Sequence, residues 1–456
     1  MKINAQQDLT RGSALKNLWQ FSFPFLLAYL LQALYNTVDL FVVGRFGNGS
    51  VSVAAVANGS CIMMFILNLI SGLTTGSTVL IGQYVGAGDQ EKLRRCIGTS
   101  LCLFMICSVI LTLVMLAAMP LILNLMQVPQ SAYQETKAYS DICVLGIVFI
   151  TGYNAFSAVF RGLGNSVAPL IFVAIACVFN IIGDLVLVAG FHMGATGAAA
   201  ATVAGQAISM FFAYFFMRKT VRFEFKIKNF IPDYALVREL FKVGLPISVT
   251  GGLIDFSFMF ITSIINAMGM AAAAGVGIVG RINAFAMLPA VSAMGAISAI
   301  TAQNIGAHKP VRALYTLKLG IAGTMIFGIM AIALFLLIPE KIIGFFMDRN
   351  AFGAQETIEA GTAYAKSFCF EYILVPVVFC TNGFFNGCGR SFFSMLNNVL
   401  CTFVFRIPMA YYFSTMANAS LYAVGFASPL ASFASNILAL IYLASGRWRK
   451  KGIKWL

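Results

Sequence analysis

Apolar residues fill this chain in stretches of about 20 or more, separated by short polar connections, from one end to the other. An α-helix needs about that length to cross the roughly 30 Å hydrocarbon core of a bilayer. The pattern predicts twelve spans, near residues 15–43, 51–80, 96–120, 137–160, 167–190, 195–217, 238–267, 277–300, 314–337, 360–385, 391–413 and 420–443. No large polar stretch lies between them. The expected fold class is an all-α integral membrane protein, nearly all of it membrane domain, with no room for a separate soluble catalytic module. The first run exceeds the apolar core of a signal peptide and lacks a small-residue cleavage site, so it is expected to stay as the first span.

Composition agrees with the pattern. Of 456 residues, 60% are hydrophobic and only 10% charged, against about 25% charged in soluble domains. The 10 cysteines sit mostly inside apolar runs and form no CxxC pair, and the 2 histidines are His192 and His308. Small apolar core residues, rather than a disulfide or zinc framework, are expected there. No cofactor is expected, and no metal beyond an alkali ion.

The net charge of +14 changes the picture more. Lys2, Arg11 and Lys16 precede the first span. The connection "MRKTVRFEFKIKNFIPDYALVRELFKV" holds seven basic residues and the tail "GRWRKKGIKWL" five. All fall on one side of the predicted spans, so by the positive-inside rule both termini are expected in the cytoplasm. A surplus placed this way suits membrane topology and anionic headgroups, so membrane lipids rather than nucleic acid are the expected partners.

The sequence also repeats itself. "FSFPF" (Phe21–Phe25) answers "VGLPI" (Val243–Ile247), "GQYVGAGDQEKLR" answers "AQNIGAHKPVRAL", and "FRGLGNS" answers "FNGCGRS", at offsets of 222, 220 and 225. Three anchors in agreement indicate duplication. The halves are expected to be 1–217, a six-span N-lobe, and 238–456, a six-span C-lobe with the basic tail, joined by a basic cytoplasmic linker at 218–237. An even number of spans per unit makes the repeats parallel, two pseudo-symmetric six-helix bundles about an axis along the membrane normal. The glycine-rich loops join helix to helix, which favours tight turns over phosphate cradles.

Against this background two aspartates stand out, Asp39 in "LYNTVDLFVV" and Asp184 in "FNIIGDLVLV". An ionisable residue at membrane depth costs a few kcal/mol and is usually functional. At 1.5 Å per residue, Asp39 and Asp184 each lie about 9 Å below the outer surface and Thr202 about 12 Å. Asn180 is one turn from Asp184 on the same face. Two carboxylates, an amide and a hydroxyl at one level can form a hard-oxygen cation site or a proton-sharing carboxylate pair. A polar network that only ties helices together is the alternative. Gln32 and Tyr35 lie along the Asp39 face of the first span, and Tyr139 and Asn154 on the fourth can look toward the same cavity or pack between helices. Pro24 removes a backbone hydrogen bond and can kink the first span.

The two six-span halves, the proline in the first span of each, the "GQYVGAGD" loop after span 2 and the "RGLGNS" loop after span 4 together resemble the multidrug and toxic compound extrusion (MATE) transporters. They are a branch of a wider flippase superfamily, and the likeness extends over essentially the whole chain. The resemblance implies a prokaryotic, N-lobe-coupled exporter in which Asp39, Asn180, Asp184 and Thr202 hold the coupling ion, H⁺ or Na⁺. It further implies that Gln32, Tyr35, Tyr139 and Asn154 line a pocket for drugs and organic cations, and that Pro24 is a hinge. Such a protein is expected to be a monomer in the cell membrane and not an enzyme.

The C-lobe departs from the branch of the family that couples there. Asp255 on span 7 is off by about a residue, and Glu371 on span 10 sits a turn early, with Val375 nearer the expected place. Arg281 and Arg406 lie in the same lobe, so a neutralising pair with Asp255 or Glu371 is the simpler expectation. The rival readings are a flippase for a lipid-linked precursor, disfavoured by the acidic N-lobe, a channel, and an intramembrane enzyme, for which the chain offers no HExxH, GxSxG or histidine cluster.

Overall fold

The computed structural model describes residues 6–47, 49–221, 227–347, 353–416 and 420–449. Lys2, the part of the basic linker at 222–226 and the basic tail beyond Arg449 lie outside the described residues. The described chain is helical throughout, without a strand. In chain order the N-terminal half contains α1 (Ala14–Phe46), α2 (Ser50–Ala87), α3 (Gln90–Leu125), α4 (Gln130–Leu145), α5 (Ile147–Gly162), α6 (Val167–Asp184) and α7 (Gly194–Thr220). The C-terminal half contains α8 (Tyr234–Ala267), α9 (Met270–Ala286), α10 (Leu288–Gly306), α11 (Pro310–Leu337), α12 (Pro339–Gly344), α13 (Ala354–Phe368), α14 (Glu371–Gly387), α15 (Ser391–Leu400), α16 (Ile407–Thr415), α17 (Leu421–Gly425) and α18 (Ala427–Ala444).

Ten of these segments are long and apolar enough to cross a membrane alone, and the bent pairs α4–α5 and α13–α14 bring the number to twelve. The bends, 45° and 51°, fall in the fourth span of each half and are not legible in the hydropathy. The first falls at Gly146, where a Cβ would lie 2.4 Å from Val203 of α7, so a glycine at the bend is what lets α7 approach there. In the second pair the turn tightens, with Tyr372 N–H donating to Cys369 O at 3.0 Å, and Pro376 supplies no donor for Tyr372 O. The fifth span of each half holds a π-helical segment, Leu185–Gly190 after α6 and Cys401–Arg406 between α15 and α16. π-Helical turns recur at functional sites.

The glycine-rich loops are tight turns. Gly88 (φ 72°) ends α2 and donates to Tyr84 O and Val85 O, while the next residue, Asp89, caps α3 by accepting from Lys92 N–H at 3.0 Å. In the second loop Asn165 Oδ1 accepts from Val167 N–H and Ala168 N–H, both at 3.0 Å, and starts α6.

Two compact units make up the chain, one of Met1–Gly12, Trp19–Ser248 and Ala302–His308, the other of Ser13–Leu18, Val249–Thr301 and Lys309–Leu456. Within the first, the repeated "GQYVGAG" and "AQNIGAH" segments cross reciprocally. A Cβ on Gly86 would lie 2.0 Å from Gln303 O, and a Cβ on Gly306 the same distance from Gln83 O. The Gln303 amide then donates to Gly162 O and accepts from Leu9 N–H. An aromatic cluster of Phe160, Phe172 and Phe216 packs within this unit, with centroids 5.4–5.8 Å apart. In the second unit Phe385, Phe393 and Tyr442 form the counterpart, with Phe393 stacked on Tyr442 at 3.7 Å. Large side chains such as Phe41, Leu113, Phe215 and Met259 face outward, while buried hydroxyls pair between helices, as Ser77 and Ser100 do at 3.0 Å. That inversion of the soluble pattern suits lipid as the solvent.

Candidate ion site and its surroundings

Asp39 sits near the end of α1, Asn180 and Asp184 on the last turns of α6, and Thr202 on α7. α6 and α7 pack closely because small residues face each other. A Cβ on Gly205 would lie 2.7 Å from Ala176 O, and one on Gly183 would lie 2.8 Å from the Ala201 Cβ. Only glycine allows this approach, and it sets the polar pairs. Asn180 Nδ2 donates to Thr202 Oγ1 at 3.1 Å, and Thr202 Oγ1 donates to Asp39 Oδ2 at 3.4 Å. Asp184 lies within hydrogen-bonding reach of Asp39. All four residues are thus brought to one place.

The cluster is rich in acceptors and poor in donors. Asp39 and Asn180 are 6% and 3% exposed, and Asp184 is fully buried. Asp39 Oδ1, Asn180 Oδ1 and both carboxylate oxygens of Asp184 are buried without a donor among the described residues. Two carboxylates facing each other have no hydrogen between them unless one carries a proton. No lysine or arginine forms an ion pair with either acid among the described residues; the ion pairs Arg11–Asp8, Lys92–Asp89, Arg95–Glu91 and Lys137–Asp141 lie elsewhere. A buried unsatisfied acceptor costs about 1–3 kcal/mol, more when charged, so the arrangement calls for a proton or a bound cation. Asp, Asn and Thr oxygens are hard donors that suit an alkali ion.

Around the cluster the expected pocket residues divide. Tyr35, one turn before Asp39, and the buried Tyr139 both lie within electrostatic range of Asp39. The Tyr139 ring covers Gly59 of α2, where a Cβ would come within 2.2 Å of it. Gln32 Nε2 donates to Tyr153 Oη at 3.5 Å, the long end of the range. Asn154 is turned onto its own helix, its Nδ2 donating to Ile150 O at 2.8 Å. Tyr153, its neighbour, thus takes the contact with the first span. Cys143 and Cys177, which also lie near Asp39, carried no signal in the sequence beyond being apolar. Pro24 is buried in α1, which continues through it as one helix.

The C-lobe acids are placed differently. Asp255 is half-buried on α8 and Arg281 is exposed on α9. Glu371 and Arg406 feel each other's charge without forming an ion pair. Each is held instead by a serine of α18, one turn apart. Ser432 Oγ donates to Glu371 Oε1 at 2.7 Å, and Arg406 Nε donates to Ser428 Oγ at 3.0 Å.

Comparison with known proteins places these features in a family. The chain is 27% identical over 453 residues, 97% of both chains, to the "Probable multidrug resistance protein YpnP" of Bacillus subtilis (strain 168). It is 26% identical over 465 residues, 99% of both, to the "Probable multidrug resistance protein YoeA" of the same organism. Among solved structures, one described as the "outward-facing conformation of a multidrug resistance MATE family transporter of the MOP superfamily" is 22% identical and superposes with a TM-score of 0.90 over 98% of each chain. The MatE family model matches residues 24–186 and again 246–412, one match per half, each starting at the proline of that half's first span. With both halves matched over most of its length, the chain belongs to the MatE family.

Proposed function

We propose that the protein is an ion-coupled antiporter that exports lipophilic, mostly cationic drugs or toxic organic compounds by alternating access. The coupling ion is H⁺ or Na⁺, and both termini lie in the cytoplasm. The observation that carries this reading is the cluster of buried acceptor oxygens, Asp39 Oδ1, Asn180 Oδ1 and both of Asp184, which have no donor among the described residues. The multidrug resistance names of its relatives support the substrate class. On this reading the ion arrives from outside and satisfies the carboxylates, and the organic cation leaves as it binds, because one set of oxygens cannot neutralise both. A ligand shifts the inward-open and outward-open populations only through its differential affinity for them. Tyr35 and Tyr139, close to Asp39, supply π faces that favour a lipophilic cation. The hinge role of Pro24 belongs to the same proposal. The test is the purified protein in proteoliposomes, with pH and Na⁺ gradients imposed separately. One gradient should drive uptake of an organic cation and be dissipated by it. Cation movement that neither gradient alters would overturn the reading.

A further inference from the structure

The second unit contains a cavity of about 170 Å³ that the coupling cluster does not use. Its wall includes Phe258 on α8, Gly277, Gly280 and Asn283 on α9, Tyr364 and Phe368 on α13, and Arg406. Three features of this cavity are independent of one another. The first is the guanidinium. Arg406 stacks on the Phe258 ring, 4.1 Å from its centroid, and Nε is fixed by Ser428. This leaves the terminal amino groups without an acceptor among the described residues. Glu371, the nearby acid, is held off on Ser432. An arginine at membrane depth is costly, and a planar fork fixed at one end is suited to two oxygens of a carboxylate or phosphate.

The second feature is a buried amide oxygen on the half-buried Asn283. Asn283 Oδ1 has no donor among the described residues. The third is the pair of glycines. Gly277 and Gly280 lie one turn apart inside α9, and a Cβ on either would meet nothing within 4 Å. Glycine inside a helix costs about 0.5–1 kcal/mol relative to alanine, and here no packing contact requires it. What the two glycines do is keep the cavity open. A cavity of about 150 Å³ holds one benzene ring, so this one is the size of a single ring.

We infer that this cavity of the second unit is a binding site for a single-ring organic anion that also carries a hydroxyl or N–H donor. Arg406 takes the anionic head, Asn283 Oδ1 accepts from the donor, and Phe258, Tyr364 and Phe368 enclose the ring. The repeat offsets of 220–225 map Arg406 onto residues 181–186 of the first half, the stretch that holds Asp184. The duplicated halves thus carry opposite charges within corresponding stretches of their fifth spans. One is built for a cation and the other for an anion.

The test uses the full chain in phosphatidylcholine nanodiscs, with radiolabelled 4-hydroxybenzoate as the probe. Binding should saturate at one per chain, and 4-hydroxybenzamide, its neutral isostere, should compete at least tenfold more weakly. Arg406→Gln should weaken binding at least tenfold. Because that change could disturb the fold, Gly280→Leu is the second variant. It fills the cavity where there is room and should weaken binding to the same extent, while thermal stability stays at or above that of the parent. The anionic head could instead belong to a lipid. In that case phosphatidylglycerol nanodiscs should abolish probe binding, and the parent should retain phosphatidylglycerol through purification where Arg406→Gln does not, which would overturn the ring as the occupant and leave Arg406 to a lipid phosphate. Binding left within twofold by both variants would overturn the inference. So would the absence of saturable binding in phosphatidylcholine together with equal lipid retention by parent and Arg406→Gln.

Discussion

At Asp39 and Asp184 the balance of donors and acceptors decides what each substitution does. Asp39 keeps one donor, from Thr202, and Asp184 keeps none while both carboxylates are ionised. Replacing either acid by asparagine preserves shape, removes one charge and introduces an N–H that the facing carboxylate accepts. Such a change relieves repulsion between buried like charges and should leave the fold intact or firmer. Asp39→Asn and Asp184→Asn should therefore reach the membrane at parental levels, with thermal stability unchanged or raised by about 1 kcal/mol. Efflux of a cationic dye from cells should fall to the level of cells lacking the protein. Both measurements are needed together, since loss of transport with loss of expression would indicate a structural role only. Parental efflux in both variants would remove the cluster from the mechanism.

The elements that carry these residues meet at contacts that tolerate no side chain. α6 and α7 approach at Gly183 and Gly205, so the Asn180–Thr202 and Thr202–Asp39 bonds depend on two missing side chains some distance from any charge. Gly205→Val would drive a branched side chain against Ala176 O. Overpacking of this kind costs about 1–3 kcal/mol, and it should separate α7 from α6 enough to break the Thr202 bonds. The expected result is a lower melting temperature with coupled efflux reduced at least tenfold, while Gly323→Ala, at an open helical position of α11, changes neither by more than a small amount. Parental efflux in Gly205→Val would mean that the Thr202 bonds are dispensable. At this scale the sequence was only partly legible. Span number, duplication and the turn glycines follow from hydropathy and local chemistry, because a lipid solvent imposes length and turns impose φ. The carboxylate cluster was within reach for the same reason, since rise per residue fixes depth. The bend at Gly146 and the Gln32–Tyr153 contact were not. Gly146 lies against Val203 of another helix, a tertiary fact with no periodic signature. The serine ladder on α18 that keeps Glu371 and Arg406 apart was hidden in the same way, since hydropathy reads serine as a neutral filler.

For the whole molecule, the ion and the drug must be linked through the carboxylates if both are to be served by them. Tyr35 and Tyr139 lie within electrostatic range of Asp39, so a cation resting on their rings feels the same charge that a proton or Na⁺ would neutralise. A proton on Asp39 or Asp184 removes the attraction, and Na⁺ occupies the oxygens that supply it. Linkage then requires the effect to be reciprocal, with each ligand weakening the other by the same factor, typically 5–150-fold for a coupling of about 1–3 kcal/mol. Affinity of the purified protein for a permanently charged lipophilic dye should accordingly fall on acidification if H⁺ is the coupling ion, or as Na⁺ rises if Na⁺ is. A dye with fixed charge keeps its own titration out of the measurement, and fluorescence polarisation across pH and Na⁺ follows the binding directly. Asp39→Asn should flatten most of that dependence, because the group that titrates or coordinates has gone, while retaining weaker dye binding through the aromatic faces. Dye affinity that neither pH nor Na⁺ alters in the parent would mean separate, unlinked sites, and exchange through shared carboxylates would have to be abandoned in favour of a flippase or channel.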